Sequence, residues 1–589
     1  SFMVRRVLSP GNFGSPLAGR WTLSFNDILT FQPNAPLESG ATYEVRLNGI
    51  RDAAGNAMPL YSYSFATGGS VGGNRPPQIQ SHTATPYPAA PAQAVNFAAS
   101  ATDPDGDALE YRFDFGDGSP RTAWSATASA QRSYAQPGHY RASVQVRDPS
   151  GVIVSRSRVV TVVTPLPATR PTASAPILCD APNRRVWTVN PDSNTISALN
   201  ADTLAKLAEH PTCADPRAIA RSASGELWVA CHDDDRIRVH NEATGAVITT
   251  IDTGYGSAPV GLAISPDGAS AYVTLAQRGE LRRYSTATRQ QTGALALGPQ
   301  PRGIAVSADG SRVLVSRFLS PAHHGEVWDV SAASMSLTRT IRIPKFGGDA
   351  NRDTTSSGRG IANQLAAVAI SPRSGRAYVP ATKPNSERGT LTHASQGLDP
   401  DNTVRNLLVE LDPDAATPAQ RFRRGLDLDN SDSASHVAFS PLGDYLLVTL
   451  QGMNELLVLD ALALDGSAGL GALVTRIGVG AAPQGVCSDP STQRSYVHNF
   501  LGRSISVLQT EALFTEGSIN VPVSTVSMVA SETLPAAVLQ GKRLFHHAGD
   551  PRMSAEGYLS CATCHLDGGD DGRSWDFSNR GEGLRNTTV

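Results

Sequence analysis

The chain has 589 residues, a formal net charge of −3 and a sequence pI of about 6.5. A chain of this length predicts several domains rather than one hydrophobic core. Its basic residues form no cluster or stripe, which excludes nucleic acid as an expected partner. Abundant glycine and proline, sparse charge and recurring short apolar runs favour a mainly β fold.

The termini and the apolar runs bear on the cellular setting. No apolar run reaches the roughly 18 residues that a membrane-spanning helix needs, so the sequence predicts no membrane span. The chain opens at Ser1-Phe2-Met3-Val4 in what reads as the middle of a strand. We therefore expect residue 1 not to be the natural start, and a leader to have preceded it.

Residues 1–70 predict a small β-sandwich. Tyr43-Glu-Val45-Arg-Leu47 alternates as strands do, and Asp52-Ala-Ala-Gly55-Asn56 predicts a turn. The order of these phrases, from Phe31-Gln-Pro33 to Phe65-Ala-Thr67-Gly68, resembles that of bacterial immunoglobulin-like domains. This resemblance implies an Ig-like sandwich, and the glycine-rich residues after it predict a flexible linker.

Residues 78–164 predict a second β-sandwich. The phrase Tyr111-Arg-Phe113-Asp-Phe115-Gly-Asp-Gly118, followed by Pro137-Gly-His-Tyr140, resembles the signature of PKD domains. Asp103, Asp105 and Asp107 lie on a preceding turn and offer the oxygen ligands that calcium prefers. The alternative is turn chemistry without a metal, since Asp and Gly favour tight turns.

The proline-rich residues 164–171 predict a second linker, and residues 172–515 after it contain an internal repeat. The unit is a proline-containing lead, a short apolar strand, a turn like Ser265-Pro-Asp-Gly268, a second strand and an outer hairpin. A unit of this size cannot bury its own apolar face, and radial stacking of seven such units predicts a seven-bladed β-propeller. Ala271-Tyr-Val-Thr274 resembles the YVTN-type propellers of secreted bacterial proteins. Two long loops in the fifth unit, from 346 to 361 and from 384 to 404, predict either a binding face for a protein partner or solvated surface.

Four cysteines in the propeller repeat suit an oxidising compartment. Cys213 and Cys231 come nearly opposite each other in the first hairpin of the second unit, so a disulfide is feasible. Cys179 and Cys487 hold matching positions in the first and last units, which become neighbours when the ring closes. The alternative for all four is a small buried hydrophobic side chain.

The last sixty residues contain Cys561-Ala-Thr-Cys564-His565, the C-x-x-C-H pattern of covalent haem c attachment. Two thiols at this spacing can each bond one vinyl group of a single haem, and the adjacent imidazole can bind the iron. The alternative is a zinc site that uses both thiols with His546 or His547. Upstream, Pro535 to Phe545 has apolar residues at helical spacing, and we expect this helix to pack over one face of the haem.

Residues 530–589 resemble the amino-terminal haem domain of bacterial di-haem cytochrome c peroxidases and their MauG-like relatives. Gly541-Lys-Arg-Leu-Phe545, the C-x-x-C-H phrase and Gly583-Leu-Arg-Asn-Thr587 carry this resemblance. It implies Cys561 and Cys564 as the haem attachment residues and His565 as the proximal iron ligand. The family has a second C-x-x-C-H, which this chain lacks, so we expect the natural protein to continue beyond Val589. Met553, His546 and His547 are the nearby candidates for the sixth iron position, and an exposed surface position is favoured for Met553.

The sequence therefore predicts two β-sandwiches, a seven-bladed propeller and a short, incomplete α-helical cytochrome c segment. Its expected function is that of a periplasmic or extracellular haem c redox protein, which acts with a redox partner protein or a small oxidant. If it is an enzyme, the resemblance implies a peroxidase-type oxidoreductase that needs a second haem domain. The alternatives are a non-catalytic interaction or electron-transfer scaffold, and a propeller enzyme with its own pocket chemistry.

Overall fold

The structure is a computed structural model of the 589-residue chain. It describes residues 2–9, 11–24, 28–48, 60–67, 74–347, 359–386, 403–428, 431–466, 469–554, 557–577 and 583–587. The predicted turn at 52–56, most of the glycine-rich linker, and the central parts of both long loops of the fifth unit lie outside these residues. The chain divides into two compact units: residues 1–165 with 473–475 and 511–521, and the remainder.

The first module of the first unit is built from six strands. One sheet has the order β2-β1-β5-β6, and β3 pairs with β4. Val4, Tyr43 and Val45 alternate inward from the first sheet and form its buried core. The bounds are β1 Phe2–Ser9, β2 Asn12–Pro16, β3 Gly19–Ser24, β4 Ile28–Pro33, β5 Thr42–Leu47 and β6 Tyr61–Ala66.

The second module is a sandwich of two three-stranded sheets, β10-β8-β7 and β12-β11-β9. Phe97, Phe113 and Tyr134 fill its core, and the Tyr134 hydroxyl donates to the Phe115 carbonyl at 2.9 Å. Gly116 has φ +70°, and a Cβ there would lie 2.2 Å from the Arg141 carbonyl oxygen, so only glycine fits the turn. The bounds are β7 Gln78–Thr85, β8 Ala94–Thr102, β9 Glu110–Asp114, β10 Ser129–Ser133, β11 Gly138–Arg147 and β12 Ile153–Val162.

Described residues between 177 and 527 form seven antiparallel sheets of four consecutive strands each, and one further strand, described below, joins the fourth sheet. The two innermost strands of each blade are apolar and buried, which the short runs of Val, Leu, Ile and Ala dictate. Blade 1 comprises β14 Ile177–Asp180, β15 Arg185–Asn190, β16 Thr195–Asn200 and β17 Lys206–Pro211, and blade 2 comprises β18 Pro216–Arg221, β19 Glu226–Cys231, β20 Arg236–Asn241 and β21 Val247–Asp252. Blade 3 comprises β22 Pro259–Ile264, β23 Ser270–Leu275, β24 Glu280–Ser285 and β25 Gln291–Ala296. Blade 4 comprises β26 Pro301–Val306, β27 Arg312–Arg317, β28 His324–Ser331 and β29 Ser336–Pro344.

Blades 5 to 7 complete the ring. The innermost strands of successive blades are in contact all the way round, and the first blade also meets the seventh. The last strand of blade 7 lies beyond residue 515, where the repeat was predicted to end, because the short helix Glu511–Glu516 interrupts the blade. Blade 5 comprises β30 Ala369–Ile370, β31 Ala377–Pro384, β32 Val404–Leu411 and β33 Phe422–Leu428. Blade 6 comprises β34 Ala434–Phe439, β35 Tyr445–Leu450, β36 Glu455–Asp460 and β37 Leu473–Gly478. Blade 7 comprises β38 Pro483–Asp489, β39 Arg494–Asn499, β40 Ser504–Leu508 and β41 Val523–Ser527.

The segment that leads into the propeller adds a strand to the inside of the ring. Strand β13, Thr172–Ala173, pairs antiparallel with β26, so blade 4 has five strands. Ser174 continues the pairing, because its N–H donates to the Ile304 carbonyl and its hydroxyl accepts from the Ile304 N–H. The chain then enters β14, so the central packing of the propeller begins directly after the linker that the sequence predicts at 164–171.

Among the described carboxy-terminal residues, the structure has the helix Ala536–Phe545, the 3-10 helices Cys561–Thr563 and Leu566–Gly568, and the hairpin of β42 Ser574–Phe577 and β43 Gly583–Asn586. Two short helices, Pro418–Arg421 and Ala461–Asp465, occur in blade connections. The prediction of a mainly β chain with two sandwiches and a propeller is confirmed. In the described part of the chain, helices with both the length and the apolar character to cross a bilayer are absent.

Candidate functional site

The two cysteines of the C-x-x-C-H phrase lie on one 3-10 turn. Cys561 is its first residue and Cys564 its C-cap. Side chains three residues apart on a 3-10 helix are eclipsed, so both thiols point to the same side. Cys561 is exposed, Cys564 is half-buried, and neither is in a disulfide. Burial, followed by the nearby Asp571, raises the pKa of the Cys564 thiol to about 12.

The imidazole of His565 is held in one tautomer. Its Nδ1 lies 3.3 Å from the carbonyl oxygen of Gly569, so Nδ1 carries the proton and donates it. In the neutral form of the ring, the lone pair then lies on Nε2, which is the atom left to bind a metal. The ring lies beside Phe545, the last residue of the helix, with ring centroids 6.4 Å apart. Two thiols on one turn and an adjacent imidazole that leaves Nε2 for a metal form the donor set that covalent haem attachment needs.

The helix Ala536–Phe545 is fixed to the propeller by charged side chains. Lys542 donates to both carboxylate oxygens of Asp192 at 2.8 Å, and Arg543 donates to the Leu501 carbonyl at 2.9 Å. A cavity of about 200 Å³ lies between the helix end and the loops of blades 6 and 7. His546 and His547 line this cavity, whereas Met553 is 45% exposed, as the sequence favoured.

Two propeller arginines hold the loop that follows His565. Arg217 Nη1 donates to Asp567 Oδ1 at 3.0 Å, and Arg302 Nη2 donates to Asp567 Oδ2. We call these three residues the arginine clamp. Burial alone would raise the pKa of the Asp567 carboxyl, but the charges of Arg302 and Arg217 outweigh it and hold that pKa far below its usual range.

A buried propeller carboxylate holds the start of the same loop. Asp432 has no exposed surface, and it accepts hydrogen bonds from the hydroxyls of Ser560 at 2.6 Å and Thr563 at 2.7 Å. We call these three residues the hydroxyl clamp. Burial raises the pKa of Asp432, although its hydroxyl donors act against that rise. Gln364 adds a third contact, since its Nε2 donates to the Thr563 carbonyl at 3.0 Å.

Sequence reasoning missed both clamps, although the arginine clamp left a signal. Arg217 and Arg302 follow the proline that opens the innermost strand of their blades, where the third blade has Val260. A charged residue at a position that faces the propeller axis is unusual, because that position faces other blades rather than solvent. Asp432 gave no comparable signal, since it lies in a connecting segment rich in Asp and Ser.

The zinc alternative lacks the required geometry. Within the residues that the structure describes, ligand atoms converge in one group only, that of Asp215, His232 and Asp233. The two thiols with His546 or His547 are not such a group. Asp215 accepts from Arg217 Nε at 2.6 Å, so that group is an ion-pair network beside the arginine clamp.

The three aspartates proposed for calcium are used differently from one another. Asp105 accepts from the Nε of Arg75 at 2.9 Å, and Asp103 caps the turn by accepting the Asp105 N–H at 2.8 Å. Among the described residues, Asp103, Asp105 and Asp107 do not form a converging group of ligand atoms. Calcium at these residues stays a prediction, and it would require Asp105 to release Arg75.

Both cysteine pairs for which the sequence suggested a disulfide are disulfide-bonded in the structure. Cys213 and Cys231 have Cα atoms 5.6 Å apart within the first hairpin of blade 2. Cys179 and Cys487 have Cα atoms 5.8 Å apart, on the innermost strands of blades 1 and 7. The second bond crosses the junction where the ring closes.

Comparisons with known proteins identify the two amino-terminal modules. Residues 74–163 match the family model of the PKD domain, and residues 7–67 match that of the bacterial Ig-like domain. Both kinds of module are typical of extracellular bacterial proteins. No protein of curated function matches the chain.

Solved structures with similar folds include three with low sequence identity. Hydrazine synthase of Kuenenia stuttgartiensis is 18% identical, with a TM-score of 0.47 over 62% of this chain and 97% of that chain. The β-propeller domain of Cps50 (Swd1) from Myceliophteria thermophila is 12% identical, with a TM-score of 0.40 over 59% and 98%. A functionally unknown protein from Desulfotomaculum acetoxidans DSM 771 is 16% identical, with a TM-score of 0.36 over 51% and 79%.

Proposed function

We propose that this chain is an extracytoplasmic redox protein that carries one covalently attached haem c. The observation that supports this most directly is the 3-10 turn of Cys561 and Cys564, followed by His565 with its Nδ1 proton engaged and its Nε2 lone pair free. Neither thiol is in a disulfide, so both are available for thioether bonds. The Ig-like and PKD modules support an extracellular or periplasmic setting.

Haem bound there supplies one-electron redox chemistry. Cys561 and Cys564 would hold the group by thioether bonds, and His565 would offer Nε2 to the iron. The Gly569 carbonyl keeps the His565 proton on Nδ1 and orients the ring, as the outer partners of metal-binding histidines do. Because Cys561 is exposed, a redox partner protein or a small oxidant could approach the attachment residues from solvent.

The attachment proposal is tested by producing the chain in a host that matures c-type cytochromes. We expect its intact mass to rise by one haem and its pyridine haemochrome spectrum to be of the c type. The Cys561→Ala, Cys564→Ala double variant is the matched control and should gain no mass. A folded wild-type chain that gains none, or that instead binds zinc at these thiols, contradicts the proposal.

A second candidate is an interaction scaffold in which the haem only passes electrons. Two adhesive-type modules before the propeller favour it. Peroxide added to the ferric haem protein, with the second haem domain restored, separates the two candidates. Peroxide consumption supports the peroxidase-type function that the resemblance to di-haem peroxidases implies. A haem that is inert to peroxide but exchanges electrons with a small redox dye supports the scaffold.

A further inference from the structure

The loop Ser560–Asp571 is attached to the propeller at both of its ends, on either side of the iron-binding histidine. We propose that Arg217, Arg302 and Asp432 are positioning residues, which seat this loop on the propeller and thereby fix the direction in which His565 presents Nε2. The inference rests on the proposed function, because it concerns how that haem ligand is held. Its basis is the geometry of the two clamps.

The arginine clamp acts on the loop just after the histidine. Asp567 is two residues from His565, and each of its carboxylate oxygens accepts from a different guanidinium group. Both arginines are themselves held. Arg217 donates to Asp215 at 2.6 Å, and Arg302 lies over the Phe318 ring, 4.0 Å from its centroid. Charge-assisted hydrogen bonds to a carboxylate from two fixed directions leave it little freedom.

The hydroxyl clamp acts on the loop just before the histidine. Ser560 caps the 3-10 turn and Thr563 lies inside it, and both hydroxyls donate to the fully buried Asp432. Gly452 makes room for this carboxylate, since a Cβ there would lie 2.0 Å from Asp432 Oδ2. Losing either hydroxyl would leave a buried acceptor less well satisfied, which is costly. Asp432 therefore fixes the 3-10 turn that orients both thiols.

The histidine lies between these two fixed points. Its Nδ1 proton is donated to Gly569, which lies two residues after Asp567 and in the same turn. Any movement of Asp567 away from the arginines therefore displaces the carbonyl that orients the imidazole. A histidine held in this way needs little rearrangement when its metal binds, which is the expected benefit of preorganised ligands.

A comparison of the blades indicates that the arginine clamp is a specialised feature of this propeller. The second residue of the innermost strand faces the propeller axis in several blades, and five such residues line an axial cavity of about 90 Å³: Arg217, Val260, Arg302, Ser435 and Gln484. Arginine occurs in blades 2 and 4, and both arginines contact the same carboxylate. Repeat packing alone does not require two like charges around one axis, because they repel each other unless an anion lies between them.

The first arm of the test uses haem-free protein, so that it does not depend on the proposed function. In the Cys561→Ala, Cys564→Ala background, Asp567→Asn and Asp432→Asn should each speed amide hydrogen exchange across residues 557–571 by about tenfold. Asp570→Asn is the matched control: it removes the same charge three residues away, where the carboxylate caps its own turn by accepting the Gly572 N–H. Unchanged propeller unfolding in all three variants shows that each one folds.

The second arm uses the haem-loaded chain. Asp567→Asn and Arg302→Gln should keep the covalent haem by mass, yet broaden the electron paramagnetic resonance of the ferric iron and shift its midpoint potential. Asp567→Glu, which keeps the charge, should restore most of the wild-type signal. Exchange in residues 557–571 that is the same in wild type, Asp567→Asn and Asp432→Asn overturns the inference. A chain that gains no haem while the first arm succeeds overturns the proposed function alone.

Discussion

His436 shows how a single side chain couples neighbouring blades of the propeller. It is buried on β34, its Nε2 donates to the Ser174 carbonyl at 3.3 Å, and its Nδ1 accepts the Val486 N–H of blade 7 at 3.4 Å. Only the neutral imidazole can accept at Nδ1. Burial is the main reason that the pKa of His436 falls to about 4, and the neutral form is therefore the one that stabilises the fold.

We predict that the propeller loses stability as the pH falls below about 6.5. The unfolded chain protonates His436 near that pH, whereas the folded chain resists protonation down to about pH 4, so the unfolded state binds more protons in this window. His436 alone should account for a loss of about 2 kcal/mol between pH 7.5 and pH 5. Denaturant unfolding at both pH values measures it.

His436→Gln should reduce the loss of stability between pH 7.5 and pH 5 by about 2 kcal/mol. His323→Gln, which removes an exposed imidazole, should leave this loss unchanged. A part of the loss will remain in His436→Gln, because burial also lowers the pKa of His498, to about 3. An identical pH dependence in the wild type and His436→Gln would show that this imidazole does not contribute.

Residues that act through local spacing could be read from the sequence, and those that act across the ring could not. Cys561, Cys564 and His565 lie within five residues, so their proximity could be predicted from the sequence, and the haem attachment that the pattern indicates stays a prediction. Asp567 and Arg217 are separated by 350 residues, and they meet because the carboxy-terminal loop lies against the propeller. The repeat pattern does not indicate such a contact, because it describes each blade and not the segment that lies against the blades.

Among the elements, the strand that precedes blade 1 departs most from expectation. The sequence predicts a linker from 164 to 171, and the structure has β13 directly after it, paired with the innermost strand of blade 4. Two residues are too few to show the period-two pattern by which strands are recognised. The outermost strand of blade 7, Val523–Ser527, was missed for a related reason: it is largely exposed and separated from its blade by a helix.

The carboxy-terminal helix was better predicted. Its apolar spacing and the proline at its start gave Pro535 to Phe545, and the structure has Ala536–Phe545. Beyond it, the predicted α-helical segment is two 3-10 turns and a hairpin in the described residues. The clamps explain the difference, since contacts with the propeller replace much of the internal hydrogen bonding that a longer helix would supply.

We predict that Ser174→Pro destabilises the propeller by about 3 kcal/mol, because proline removes the N–H that donates to the Ile304 carbonyl and the hydroxyl that accepts from the Ile304 N–H. Ser174→Ala is the matched control, which removes the hydroxyl alone and should cost about 1 kcal/mol. Denaturant unfolding gives both values. Equal stability of the proline and alanine variants would mean that the backbone pairing of this strand contributes little.

For the whole molecule, ring closure is the central energetic question. The four consecutive strands of each blade come from one stretch of chain, the first and last blades share no strand, and their innermost strands are in contact. The Cys179–Cys487 disulfide spans 308 residues of sequence and supplies the covalent closure. The sequence identified this junction because the two cysteines hold the same position in their repeats, but the distance between adjacent blades could only come from the structure.

We predict that Cys179→Ala, Cys487→Ala costs more stability than Cys213→Ala, Cys231→Ala. A disulfide restricts the unfolded chain more as its loop lengthens, and the two loops span 308 and 18 residues. This gives up to about 5 kcal/mol for the ring-closing bond and about 3 kcal/mol for the hairpin bond. Thermal unfolding of both double variants tests the order, and a larger loss in the hairpin variant would contradict it.

The six cysteines have a consequence for how this protein matures. Under the proposed function, four of them must be oxidised and two must stay reduced until haem is attached, all in one compartment. Location separates the two groups: Cys213 and Cys231 are enclosed within blade 2, and Cys179 meets Cys487 only once the ring is complete. Cys561 follows 74 residues after Cys487, so the propeller can use up its own thiols before the haem-binding pair arrives. The order of the domains along the chain thus lets the propeller disulfides form first, and this disfavours disulfides between the propeller cysteines and the haem-binding pair.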